Sequence, residues 1–110
     1  MITVTIFNRS GRILGFSYEG HAGYAKAGYD IVCAGITAQL MMTYNGLDEI
    51  LRIPLKMEMK DEGGYFKFML ADFAEDKLDE AQILLKTLKL GIQGIKQQYT
   101  TNITLKEEEV

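Results

Sequence analysis

The sequence predicts an α+β fold, a mostly antiparallel sheet with two helices, in the element order ββαββαβ. Three observations carry this. Apolar residues alternate with period two in the opening segment, two longer segments are patterned as helices, and turn-forming residues separate the segments at short intervals. At 110 residues, 47% hydrophobic and 25% charged, the chain has the size and balance of a single globular domain spanning residues 1–110.

Ile2, Val4 and Ile6 share one face of the first predicted strand, and Thr3, Thr5 and Phe7 the other. Asn8-Arg9-Ser10-Gly11 is turn chemistry. Arg12 to Glu19 reads as the second strand, with Leu14, Phe16 and Tyr18 alternating against Ile13, Gly15 and Ser17, so the first unit is a hairpin. Gly20 to Tyr29 holds Gly20, Gly23 and Gly28 and reads as a flexible loop. Asp30 then precedes the apolar stretch Ile31 to Met42. An aspartate side chain accepts a backbone N–H of the first turn, so the first helix is predicted to be capped by Asp30 and to run to about Leu47 or Leu51, with Pro54 marking the next boundary. Its first half is apolar almost all round, which predicts cover on more than one side, the second cover being another subunit.

Leu55, Met57 and Met59 alternate with Lys56, Glu58 and Lys60 in a third strand with a wet face. Asp61-Glu62-Gly63-Gly64 is a turn, and Tyr65 to Leu70 a fourth strand. Asp76 opens the second helix, whose Leu78, Ala81, Leu84, Leu85, Leu88, Ile92, Ile95 and Tyr99 step by threes and fours along one stripe. Ile103 and Leu105 flank Thr104 in a short last strand, and Glu107, Glu108 and Glu109 read as a solvated acidic tail. There is no internal repeat.

Composition excludes several classes. The net charge is −3 and no Lys/Arg cluster occurs, which argues against direct nucleic-acid binding. One cysteine permits no internal disulfide and suits a reducing compartment. The opening Met1-Ile2-Thr3-Val4-Thr5 is not a signal peptide, and no stretch approaches the ~20 apolar residues of a membrane span, so a cytoplasmic protein with no membrane partner is expected.

The residues able to do chemistry are His21 and Cys33, the one histidine and the one cysteine, twelve residues apart and joined by the Gly-rich loop. With Asp30 as cap, Cys33 falls in the first helical turn, where unpaired N–H groups and the dipole favour thiolate over thiol. A nearby imidazole can take the thiol proton and later protonate a leaving amine. The N–H groups of Cys33 and Ala34 are then candidates to hold an oxyanion. Asp30 has two open readings, as helix cap or as the group that orients His21. Thr37 lies one turn after Cys33 and can bond back to the helix backbone. One His and one Cys fall short of a metal-ligand set, and the glycines lack nucleotide-loop spacing, so neither metal nor cofactor is expected.

Gly20-His21-Ala22-Gly23-Tyr24-Ala25, followed by Gly28-Tyr29-Asp30-Ile31-Val32-Cys33-Ala34-Gly35-Ile36-Thr37-Ala38, closely resembles the signature of the ribosomal-processing cysteine proteases. The pattern is G-H-A, a variable loop, then G-x-D-I-V-C-A-G-x-S-A. Chain length, the early hairpin, Asp79-Glu80-Ala81-Gln82 at the start of the second helix and the late tyrosine also fit. The resemblance implies a homodimer and a Cys–His dyad that removes the N-terminal extension of a large-subunit ribosomal protein, number twenty-seven, which ends in apolar and aromatic residues before the cut. Carried over, Cys33 is the nucleophile and His21 the general base and acid; Gly20 and Asp30 occupy other site positions. Thr37 stands where the family has serine, keeping the hydroxyl. The Gly20–Tyr29 loop is expected to close over an extended peptide.

Two other readings remain. A non-catalytic ribosome-associated binding module would keep its function after Cys33→Ser and His21→Ala, whereas a protease would lose cleavage. A thiol redox sensor would dimerise with peroxide at neutral pH.

Overall fold

The computed structural model describes residues 2–20, 27–60, 64–71 and 75–110, and the side chains of all of these except residues 27–30 and 75. The elements are β1 (Ile2–Arg9), β2 (Arg12–Gly20), α1 (Ala27–Asn45), β3 (Leu55–Met59), β4 (Tyr65–Leu70), α2 (Leu78–Gln98) and β5 (Ile103–Glu109). The ββαββαβ order expected from the sequence is therefore the observed one. The strands form one sheet in the order β3-β4-β2-β1-β5. Every neighbouring pair is antiparallel except β1 with β5.

β1 and β2 form the expected hairpin. Ser10 and Gly11 make its two-residue turn with φ of 53° and 79°. Positive φ at both central positions matches the twist of the flanking strands, and glycine at the second adopts it without steric cost. The alternation of β1 holds, with Ile2, Val4 and Ile6 fully buried under the helices. That of β2 holds for Phe16 and Tyr18 but fails before them. The register shifts so that Phe7 faces Gly15 while Asn8 faces Ile13, which leaves Leu14 as the extra residue of a bulge. The bulge turns Ile13 into the core, so Ile13 and Leu14 do not take the opposed faces that strict alternation assigns them.

Both helices cover this same face of the sheet. Val32, Ile36, Leu40 and Leu47 from the first helical segment, and Ala81, Leu85, Leu88 and Ile92 from α2, join the strand residues in one cluster. Phe68 is fully buried at its centre, stacked on Phe16 at 6.1 Å and met edge-on by Tyr44 at 5.9 Å. Burial of one such ring is worth roughly 1.5–3 kcal/mol. The other face of the sheet is more polar, and on it Lys67 lies 4.6 Å above the Phe7 ring.

α1 starts at Ala27, not at Asp30, so Asp30 is its fourth residue and not its cap. An acidic residue complements the helix dipole anywhere in the first turn, so its presence marks the end of a helix without identifying the capping position. The C-terminal part of the predicted Gly20–Tyr29 loop is thus helical, while residues 21–26 lie outside the described residues. At its other end α1 continues as a π-helical stretch, Gly46–Ile50, that agrees with the expected stop. Arg52 then adopts φ of 54° and Ile53 turns back into the core. Lys77 closes this corner by donating to the Leu51 carbonyl at 2.6 Å.

α2 is preceded by a 3₁₀ turn, Glu75–Lys77, which holds the predicted starting residue Asp76. Its stripe is as expected with one addition, the buried Gln82. Gln82 Nε2 donates to the Ile13 carbonyl at 2.8 Å, and its Oε1 accepts from the Ile13 N–H at 2.7 Å. β4 pairs with β2 from Gly15 to Glu19, so Ile13 lies beyond that pairing and the glutamine amide supplies its bonds instead.

The acidic tail is a correction. Glu107, Glu108 and Glu109 belong to β5 and pair in parallel with Ile6, Phe7 and Asn8. Glu107 accepts from Asn8 Nδ2 at 3.0 Å and from Lys89 Nζ at 3.3 Å, which holds its carboxyl below the usual range. No described helix is long and apolar enough to cross a membrane.

Candidate active site

Cys33 is the seventh residue of α1 and is half-buried, packed against the core cluster. Its neighbour Val32 is buried, whereas Ile31 and Ala34 are exposed, so the sulfur sits at the border between core and solvent. A nucleophile needs that border: burial on one side to fix the side chain, access on the other for substrate.

The strand facing it is β2. The Tyr18 hydroxyl lies 3.9 Å from Cys33 Sγ, within hydrogen-bond reach for sulfur. Two residues later β2 ends at Gly20, whose N–H donates to the Gly64 carbonyl at 2.9 Å. Gly64 has φ of +81°, and a Cβ there would lie 2.6 Å from the Gly20 oxygen. Only glycine allows this approach, which ties the end of β2 to the chain just before β4. The residue that follows Gly20 in the sequence is His21.

His21 lies outside the described residues, as do Ala22 to Lys26. Asp30 is described as helical backbone, and its carboxylate lies outside the described side chains. Ala34 is exposed beside Cys33; Thr37 is half-buried one turn further along and has no hydrogen bond to a described residue. The back-bond expected there is made by Thr43, to the Gln39 carbonyl at 2.9 Å.

The start of α1 removes one element of the predicted chemistry. Cys33 lies six residues after Ala27, about 9 Å along the axis at ~1.5 Å per residue. The unpaired N–H groups of a helix belong to its first turn, and the dipole effect fades within that turn. The N–H groups of Cys33 and Ala34 therefore belong to the helical ladder and are not free oxyanion donors.

The contact of Tyr18 with Cys33 is absent from the sequence reading. Period two placed Tyr18 with Phe16 on one face, and its phenol on an otherwise apolar face was the available signal. Which helical residue it would meet depends on how α1 crosses the sheet. Among the described residues no cluster of three or more His, Cys, Asp or Glu side chains is set to hold a metal. Tyr65, the first residue of β4, has its hydroxyl pKa raised by partial burial and by Glu58, which accepts its hydrogen bond at 3.3 Å.

The profile of the family described as cysteine protease Prp matches residues 1–104. The chain belongs to this family. It is a cysteine protease, as the family resemblance implied. It is 35% identical over 106 residues to the ribosomal processing cysteine protease Prp of Staphylococcus aureus, covering 96% of this chain and 97% of that one. The Bacillus subtilis protein of the same name is 30% identical over 105 residues, with 94% of each chain covered. Among solved structures, an essential ribosomal processing protease Prp from S. aureus in complex with a substrate peptide matches with a TM-score of 0.86 at 33% identity, covering 98% of this chain and all of that one. A Streptococcus mutans protein matches with a TM-score of 0.88 at 28% identity, over 100% of this chain and 96% of that one. The Prp fold thus accounts for the whole arrangement of sheet and helices around Cys33.

Proposed function

We propose that this chain is a cysteine endopeptidase that removes the N-terminal extension of a large-subunit ribosomal protein, number twenty-seven, during ribosome assembly. It acts as a single domain of residues 1–110 in the cytoplasm, as a homodimer. The observation that carries the reading is the seat of Cys33, half-buried on the core and in contact with the strand that precedes His21 in the sequence. Relatives described as ribosomal processing proteases, one of them solved with a substrate peptide, supply the substrate class.

In this mechanism His21 takes the proton of Cys33, and the thiolate attacks the scissile carbonyl carbon. The tetrahedral intermediate collapses as the His21 imidazolium protonates the leaving amine, and the new N-terminus departs. The thioester that remains is hydrolysed by a water that His21 deprotonates, which releases the extension as a carboxylate and returns the thiol. Gly20 sets the chain path into His21, Asp30 orients or supports it, and Ala34 and Thr37 line the substrate side of Cys33. Homodimer formation accounts for Ile31 and Met42 of α1, which stand 61% and 67% exposed.

The test is incubation with a peptide that spans such an extension, ending in apolar and aromatic residues, followed by mass measurement. A single cut after the aromatic end is expected. Cys33→Ala and His21→Ala should each lower the rate by about 10³-fold or more. Cleavage that persists in both variants, or an intact peptide with the unaltered protein, would overturn the reading.

A further inference from the structure

With the helix end about 9 Å away from Cys33 along α1, the helix dipole gives the sulfur little support. The described side chain within hydrogen-bond reach of Sγ is Tyr18, at 3.9 Å. We propose that Tyr18 is a positioning residue for the Cys33 nucleophile, its hydroxyl donating a hydrogen bond to the sulfur once the sulfur carries negative charge. This rests on the assignment of Cys33 as nucleophile made above.

The surroundings of Tyr18 suit that role. It lies on β2, an interior strand of the sheet, directly opposite Val4 on β1 and Phe66 on β4. Its side chain is 9% exposed and belongs to the core cluster, so the ring has little freedom and the hydroxyl is held at one place. Phe16, two residues earlier on the same face, shows that packing there is satisfied by a plain phenyl ring. A phenol at a buried position carries a desolvation cost that a polar contact must offset. Cys33 Sγ is one such contact.

In the neutral pair either group can donate, since thiol and phenol each carry a proton. After ionisation only the phenol can. The bond then becomes charge-assisted, and such bonds are shorter and stronger than neutral ones. Tyr18 therefore stabilises the thiolate more than the thiol. It also holds the sulfur from the core side, leaving the solvent side for an incoming carbonyl.

The experiment compares Tyr18→Phe with the unaltered protein in iodoacetamide alkylation of Cys33, the one thiol in the chain, across pH 6 to 10. At pH 6.5 the variant should react about 10-fold more slowly, the factor by which a hydrogen bond to a charged atom exceeds one to a neutral atom. At the alkaline plateau the two rates should agree. Peptide cleavage should lose kcat by a similar factor while KM stays within about twofold. 3-Fluorotyrosine in place of Tyr18 keeps the ring, sharpens the donor and should raise the rate at pH 6.5, which decides the matter even if the phenylalanine variant folds poorly. Alkylation profiles that superimpose on that of the unaltered protein, or that fall by one factor at every pH, overturn the proposal. Protein whose alkylation follows this pattern but which leaves the peptide intact would instead overturn the peptidase reading.

Discussion

Gln82→Leu removes both hydrogen bonds that tie the β2 bulge to α2 while filling nearly the same space. Ile13 is buried, and its N–H and C=O are each bonded to the Gln82 amide, at 2.7 and 2.8 Å. A buried polar group stripped of its partner costs about 1–3 kcal/mol. Two such groups, partly offset by the apolar gain of leucine, set the expected loss at about 3 kcal/mol. For a chain of this length ~1 kcal/mol corresponds to about 4 °C, so the melting temperature should fall by about 12 °C. The assay is thermal unfolding followed by circular dichroism, with urea midpoints as a check on the slope. Gln82→Glu refines the test. Its carboxylate still accepts from the Ile13 N–H but faces the Ile13 carbonyl without a proton to donate. Burial beside that carbonyl raises the folded-state pKa of the introduced carboxyl, so the protonated form is the one the fold favours. Stability is then present below the unfolded pKa and lost as pH rises through the folded one, and the deficit against the unaltered protein should shrink on acidification. A fall of less than 3 °C in Gln82→Leu, or a Gln82→Glu deficit that grows on acidification, would refute the reasoning.

Three further outcomes are expected. Gly64→Ala must place a Cβ 2.6 Å from the Gly20 oxygen at φ of +81°, and should cost about 1–2 kcal/mol in urea unfolding and slow peptide cleavage by displacing the end of β2. Glu107 has a folded-state pKa below its ordinary value of 4.5, chiefly through the Asn8 hydrogen bond and then Lys89, so its contribution is present above that value and lost as pH falls through the folded one. Because the carboxylate is half exposed the effect is a few tenths of a kcal/mol at most, and Glu107→Gln should flatten the pH dependence of urea midpoints between about pH 5 and 3. Met42→Glu on the exposed side of α1 should shift the proposed dimer to monomer in light scattering without lowering secondary structure; an unchanged mass would count against Met42 in the subunit contact.

Much of the candidate site was legible because its signals are local. A lone cysteine and a lone histidine, the Gly20-His21 and Asp30-to-Cys33 blocks, and a helix around Cys33 all lie within short stretches of chain. The helix start was misplaced because Asp30 is equally at home as a cap and as a first-turn residue, and the difference of four positions decides whether the Cys33 amide is free. Tyr18, Gln82 and Gly64 went unassigned because each earns its place through a partner on another element: Cys33, Ile13 and Gly20.

By itself the sequence determined the class of the fold, the order of its elements and the faces of most of them, since periodicity reports the preference of each segment for one buried side. Tertiary structure alone decided the bulge at Leu14, the parallel seat of β5 beside β1, and the phenol laid against the sulfur. Those are relations between segments far apart in the chain, and no local pattern encodes the register at which two surfaces meet.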